Sequence, residues 1–153
     1  MKFLLIFSMF LMSSYLGYVI GKNYSKREKF YGELLMLCNV LITNIRFNKN
    51  KLKIIINEFM DNCSNDMCEY LHGYLRNDME ELSFISKYDN KRIKDFFSRL
   101  GEFDSGSEIG YIENSKIYFN DCYMKSMEDN KKYGVMYTKL GFMAGLILVI
   151  LFI

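Results

Sequence analysis

Residues 28–47 read EKFYGELLMLCNVLITNIRF, and the spacing of their apolar side chains decides the fold class. Phe30, Leu34, Leu37, Cys38, Leu41 and Ile45 recur at intervals of three and four, the period of one face of an α-helix, and Leu35 and Ile42 widen the stripe. A half-buried strand needs alternation with period two, which no stretch of the chain keeps up for long. Proline is absent from all 153 residues, so the commonest helix breaker is missing and long helices are unopposed.

Upstream of this helix, no charge occurs from Phe3 to Gly21. As a helix the run covers about 28 Å at about 1.5 Å per residue, close to a hydrocarbon core of about 30 Å. A membrane helix that continues into residues 28–47 is expected. The competing reading is a cleaved signal peptide, favoured by Lys2 ahead of an apolar run, but the run is long for such a peptide and no small-x-small site follows it cleanly. At the other end Leu140–Ile153 reads LGFMAGLILVILFI, about 21 Å of charge-free helix, which falls short of a span by itself. Residues 133–138 extend it, with the Lys139 ammonium reaching back to the interface. A buried core helix would need a large protein around a segment apolar on every face.

Between the ends the stripe pattern repeats. After the polar break at Asn48, Lys49 and Asn50, a second helix carries Leu52, Ile55, Ile56, Phe59 and Met60, and a third carries Met67, Tyr70, Leu71, Tyr74 and Leu75. Met79, Leu82 and Ile85 indicate a fourth, with Asp78 as its N-cap. Ile93, Phe96, Phe97 and Leu100 mark a fifth, closed by Gly101. The stretch Asp104–Ser107 is the densest turn signal, and Ser105 with Glu108 forms a capping box. A sixth helix then starts near Ser107, carries Ile109, Ile112, Ile117, Phe119, Cys122 and Met127, and runs unbroken into the final apolar segment. The expected fold is all-α: an antiparallel bundle of about six helices over residues 22–132, flanked by transmembrane helices over residues 1–21 and 133–153.

The charges set orientation and exclude one class of partner. Lys22, Lys26, Arg27 and Lys29 follow the first segment and Lys125, Lys131, Lys132 and Lys139 precede the second, against Lys2 alone outside, so the middle domain is expected in the cytoplasm. Between Lys22 and Lys139 stand 19 basic and 18 acidic residues, an even mixture without the concentrated basic face that nucleic acid requires. In a reducing cytosol Cys38, Cys63, Cys68 and Cys122 are expected as thiols. Cys63, Cys68 and His72 have a spacing that suggests a metal, but no CxxC is present and His72 is the only histidine, so a fourth ligand is lacking and no metal is expected. No phosphate loop, dinucleotide fingerprint, nucleophile elbow or HExxH helix occurs, and the paired acids Glu80 and Glu81, or Asp66 and Glu69, read as solvated faces. Neither catalysis nor a cofactor nor a small-molecule substrate is expected; an interaction module on a membrane is.

Leu100-Gly101-x-x-Asp104-x-x-x-Glu108, the tail Tyr137-x-x-Leu140-Gly141-x-x-x-Gly145-Leu146, the opening Gly17-Tyr18 and the helix from Arg27 to Phe47 together resemble the stage III sporulation protein AB family. Glu108 stands where that family usually has glutamine. The resemblance implies a helical cytoplasmic domain similar to those of the type II secretion platform protein F. It also implies a place in the mother-cell complex that links mother cell and forespore in endospore-forming bacteria. The implied partners are a cytoplasmic secretion-type ATPase, the stage III sporulation protein AA, and other membrane members of that assembly. The implied role is scaffolding or transmission of motor movement in the cell membrane on the mother-cell side. A membrane-anchored regulatory or sensing module that binds a cytosolic partner is the alternative, and the residues separate the two poorly.

Two sets of residues are the candidate sites. Leu100, Gly101, Asp104 and Glu108 form a turn between helices where exposed backbone suits a partner. Gly17 with Gly21, and Gly141 with Gly145, have the GxxxG spacing that lets helices approach closely in lipid.

Overall fold

The computed structural model describes residues 2–48, 52–102 and 104–152, and among these every regular element is helical. Lys49 and Asn50 of the expected polar break, and residues 1 and 153 of the expected membrane segments, lie outside the described residues. The elements are α1 (Lys2–Thr43) ending in a π-helical turn (Asn44–Asn48), α2 (Leu52–Met60), α3 (Asn65–Leu75), α4 (Lys87–Arg99) and α5 (Ser105–Asp129). A second π-helical turn (Asn130–Gly134) then leads into α6 (Val135–Phe152). The chain forms two compact units, one of residues up to Glu28 with those from Lys125 on, the other of Lys29–Met124.

The second unit is built on the stripe of residues 28–47. Phe30, Leu34, Leu37, Cys38 and Leu41 are all buried there, joined by Ile55 and Ile56 of α2, Met67 and Leu71 of α3, Ile93 and Phe97 of α4, and Ile112 and Phe119 of α5. A relay of edge-to-face rings crosses this core, from Phe30 to Tyr70 (5.7 Å), Phe97 (5.5 Å), Phe96 (5.3 Å) and Phe119 (5.1 Å). Such pairs prefer tilted contacts because a ring's positive edge meets its neighbour's negative face. The close approach of Gly32 to Tyr123 and the ion pair of Arg46 with Glu113 (3.7 Å) make α1 and α5 antiparallel in this unit. Burial pushes the Cys38 thiol up to about 12, against a slight lowering by Lys116. At pH 8 Cys38 of the folded protein is therefore expected to react with iodoacetamide about a thousandfold more slowly than an unperturbed thiol. Alkylation at an ordinary thiol rate, read by peptide mass mapping, would contradict this core.

Three sequence expectations change. Residues 79–85 are a loop, not a fourth helix, so five helices contribute to this unit. Asp78 cannot cap a new helix because it finishes the previous one: its N–H donates to the Gly73 carbonyl (2.8 Å) and the Asn77 N–H to that of Tyr74 (3.1 Å). With Asn77 at φ 58°, this is a Schellman closure of α3. Gly73 is required there, since a β-carbon would sit 2.6 Å from the Asp78 oxygen. The cap of the next helix is Ser86, whose Oγ accepts from the Asp89 N–H (3.1 Å). Second, the run from α5 into α6 stays helical as expected but passes through a π turn at Asn130–Gly134 that the spacing does not indicate. Third, Cys63 and Cys68 are joined in a disulfide rather than free, because the α2–α3 corner brings their Cα atoms to 6.0 Å.

The first unit pairs the start of α1 with the end of α5 and α6, antiparallel. Glu28 faces Asn130, Tyr24 lies beside Tyr133 and Tyr137, Gly17 meets Gly141, and Phe10 meets Phe142. Small residues face inward and large apolar ones outward, with Met12 and Leu16 on α1 and Met143, Ile147 and Ile150 on α6 all exposed. Among the described residues one helix, Ser105–Ile150 taken through its π turn, holds a segment long and apolar enough to cross a membrane, and only 11% of that segment is buried. That exposure sets it apart from the core helix of a soluble protein.

Candidate functional site

The turn between α4 and α5 is fixed by three polar contacts. Leu100 ends the buried stripe of α4 and is itself buried, and Gly101 follows at φ 87°, the left-handed region in which a side chain is strained. The Gly101 N–H, left over past the end of α4, donates to Glu108 Oε1 (2.9 Å), and the Glu108 carboxylate is buried. Asp104 caps α5, accepting from the Ser107 N–H at 3.5 Å while its own carbonyl takes the Glu108 N–H (2.8 Å). The Ser107 hydroxyl first, and then the backbone N–H groups of Ser107 and Gly106, hold the exposed Asp104 carboxyl below its ordinary value.

This arrangement corrects the expected capping box. Helix α5 starts at Ser105, so Ser105 lies one residue inside it and Asp104 takes the cap. Glu108 reaches back beyond the cap to Gly101, which ties the two helix ends together. The four residues of the candidate turn thus divide: Leu100 and Glu108 face the interior, whereas Gly101 and Asp104 are exposed.

In the other unit the structure brings Gly17 and Gly141 together. A β-carbon at Gly17 would lie 2.7 Å from the Gly141 Cα and 2.8 Å from the Tyr137 oxygen. Gly21 faces Gly134 and Thr138 rather than Gly145, with a β-carbon there 2.7 Å from the Gly134 oxygen. Gly145 packs against the Phe10 ring, 2.7 Å from a β-carbon to Cδ2. Ser13 adds a hydrogen bond from its Oγ to the Gly141 carbonyl (3.0 Å). The contributions of Phe10, Ser13, Gly134 and Thr138 were not read from the sequence, though Gly134 and Thr138 are themselves small residues four apart.

Two further polar residues matter to the helical unit. Asn90, buried on α4, accepts from the Leu82 N–H (3.0 Å) and donates to the carbonyls of Leu82 (2.9 Å) and Ile85 (3.1 Å). Its signal was its place, on the same face as Ile93, Phe97 and Leu100. Glu33 accepts from the Ser64 N–H (3.0 Å) and hydroxyl (2.6 Å), fastening the start of α3 to α1 across 31 residues of sequence, a link no local pattern could reveal.

Among the described residues no group of three or more histidine, cysteine, aspartate or glutamate side chains is placed to hold a metal ion. What the geometry offers is surface: a capped turn with exposed backbone, and a helix pair with an apolar exterior. Searches of the curated proteins and of the solved structures matched nothing. Comparison with known families matches residues 56–153, from α2 to the far end of α6, to stage III sporulation protein AB. That match takes in α4, the Leu100–Glu108 turn, α5 and Gly141 with Gly145, well over half of the sequence, and the chain belongs to the stage III sporulation protein AB family.

Proposed function

We propose that this chain is a non-enzymatic platform component of the sporulation complex between mother cell and forespore, held by two membrane helices, with its central domain cytoplasmic on the mother-cell side. The observation that carries the reading is the outward apolar face of the helix pair: large hydrophobic side chains such as Met12, Leu16, Met143 and Ile150 are exposed while glycines face inward. In water this would be an unusually large apolar patch; in lipid it matches the solvent. Tyr24, Tyr133 and Tyr137 cluster where the apolar segments meet the lysines, the position of an interfacial aromatic belt. The basic residues on that side support the cytoplasmic orientation, and the Cys63–Cys68 disulfide weighs against it.

In this reading the helical unit passes the movement of a cytoplasmic secretion-type ATPase, stage III sporulation protein AA, to the membrane assembly, and Gly101 with Asp104 is where the motor meets it. The experiment is affinity purification of the tagged full-length protein from sporulating cells in mild detergent, with identification of what accompanies it. Recovery of such an ATPase supports the platform; a clean preparation without one, even after cross-linking, favours the membrane-anchored regulatory module instead. Asp104→Ala is the informative variant. It is expected to reduce ATPase recovery about tenfold while lowering folding stability by about 1 kcal/mol, the ordinary cost of losing a cap. Equal losses in partner recovery and thermal melting would remove the turn as a contact. Gly101→Leu is unsuitable for the purpose, because the left-handed φ of 87° strains any side chain and would lower folding and recovery together.

A further inference from the structure

The helix pair leaves a groove of about 590 Å³ along one flank, floored by Gly21 and Gly134 and bordered by Lys22 and Lys139. Tyr18 and Thr138 line it toward the apolar segments, Ser25 and Asn130 toward the other end. By the antiparallel register Lys139 stands about one turn deeper than Lys22, so the groove carries a cation at each of two levels. The Lys22 ammonium lies 5.9 Å from the centroid of the Tyr18 ring. Two of the nearby acids are engaged elsewhere, Glu28 accepting from Asn130 Nδ2 (2.6 Å) and Asp129 facing Arg27 (3.6 Å), and the third, Glu128, is exposed and does not line the groove. Among the described residues no ion pair involves Lys22 or Lys139. This end of the pair, residues 22–28 and 125–139, carries seven basic residues against three acidic ones.

An open groove between two helices, small-floored, flanked by two cations and continuous with an apolar exterior, calls for an anion that carries apolar chains. We propose that it seats the headgroup of an anionic phospholipid, with the phosphodiester between Lys22 and Lys139 and the acyl chains along the outward face of Leu16 and Leu140. Gly21 and Gly134 bring the two helices together at the bottom of the groove, which sets its two rims close to one another, and the two lysines are what distinguish an anionic lipid from a zwitterionic one. The inference rests on the membrane reading above.

The test uses the full-length protein in mild neutral detergent, given phosphatidylglycerol or phosphatidylcholine and examined by native mass spectrometry. Phosphatidylglycerol is expected to be retained about thirtyfold better, the worth of two interfacial lysines. The Lys22→Gln/Lys139→Gln double variant is expected to fall to the phosphatidylcholine level. A control that removes the same charge away from the groove, Lys125→Gln/Lys131→Gln, is expected to keep the preference. Equal retention of the two lipids, an unaltered preference in the first double variant, or an equal loss in the control would overturn the proposal. Displacement of phosphatidylglycerol by millimolar inorganic phosphate would also overturn it, in favour of a site for a free anion. Fractionation of cells without detergent separates this failure from that of the membrane reading: protein in the aqueous fraction removes both, whereas embedded protein with no lipid preference removes the groove alone.

Discussion

Replacing Gly141 by leucine is expected to pull the paired helices apart, at a cost of about 3 kcal/mol, the upper end of what overpacking a close contact costs. The reason is what the new side chain would meet. A β-carbon on Gly141 would stand 2.7 Å from the Gly17 Cα and 3.0 Å from the Ser13 oxygen, both backbone atoms that move only if a helix moves. Separation also breaks the bond from Ser13 Oγ to the Gly141 carbonyl, which on the proposed membrane reading no water replaces. Gly145→Leu, one turn along, meets chiefly the Phe10 ring, which can rotate away, so about 1 kcal/mol is expected there. Thermal unfolding of the full-length protein in mild detergent, followed by circular dichroism, reads the order. Equal shifts for the two variants would mean that the pair is not in this register.

The second large effect is expected at Asn90. Its side chain settles three backbone groups of the 79–85 loop, one N–H and two carbonyls. Asn90→Ala leaves the Leu82 N–H and the Ile85 carbonyl without that partner, while the Leu82 carbonyl keeps the Ile85 N–H (3.1 Å), at a cost of about 2 kcal/mol, since each unmet buried group costs about 1 kcal/mol or more. Asn90→Asp is expected to be at least as damaging: the carboxylate still accepts from Leu82 but faces two carbonyl oxygens with no proton to offer. Urea titration of the two variants checks this. If alanine were tolerated within about 0.5 kcal/mol, the typical range for an exposed substitution, the loop would not depend on this side chain.

Most of the helical architecture was legible because it is written in local spacing. The stripes of α2, α3 and α4 mark those helices to within a few residues, and the buried face of α1 is the one read from residues 28–47. The misreading at Met79, Leu82 and Ile85 shows where spacing stops being informative. Three apolar residues at intervals of three fit one helical turn and fit a loop lying on the same core equally well. What decides is a non-local polar side chain, Asn90, together with the Schellman closure that occupies Asp78. The start of α5 slipped for a related reason: Ser105 and Asp104 both have cap chemistry, and the choice falls on the one whose oxygen reaches the Ser107 N–H while Glu108 is drawn off to Gly101. The candidate glycines were visible as GxxxG pairs, but which glycine meets which depends on the register of two segments more than a hundred residues apart. The Cys63–Cys68 bond was hidden because its geometry comes from a corner between helices and not from a motif.

The 79–85 loop has a slow consequence as well as a static one. Its Leu82 amide is bonded to a side chain rooted in α4, between Asp89 and Ile93 of a well-buried face. Hydrogen at that amide exchanges with solvent when Asn90 lets go, and Asn90 is held in place by the start of α4. A residue outside any helix thus inherits the opening free energy of one, and in deuterated water Leu82 should keep its proton on the timescale of α4 rather than that of a loop.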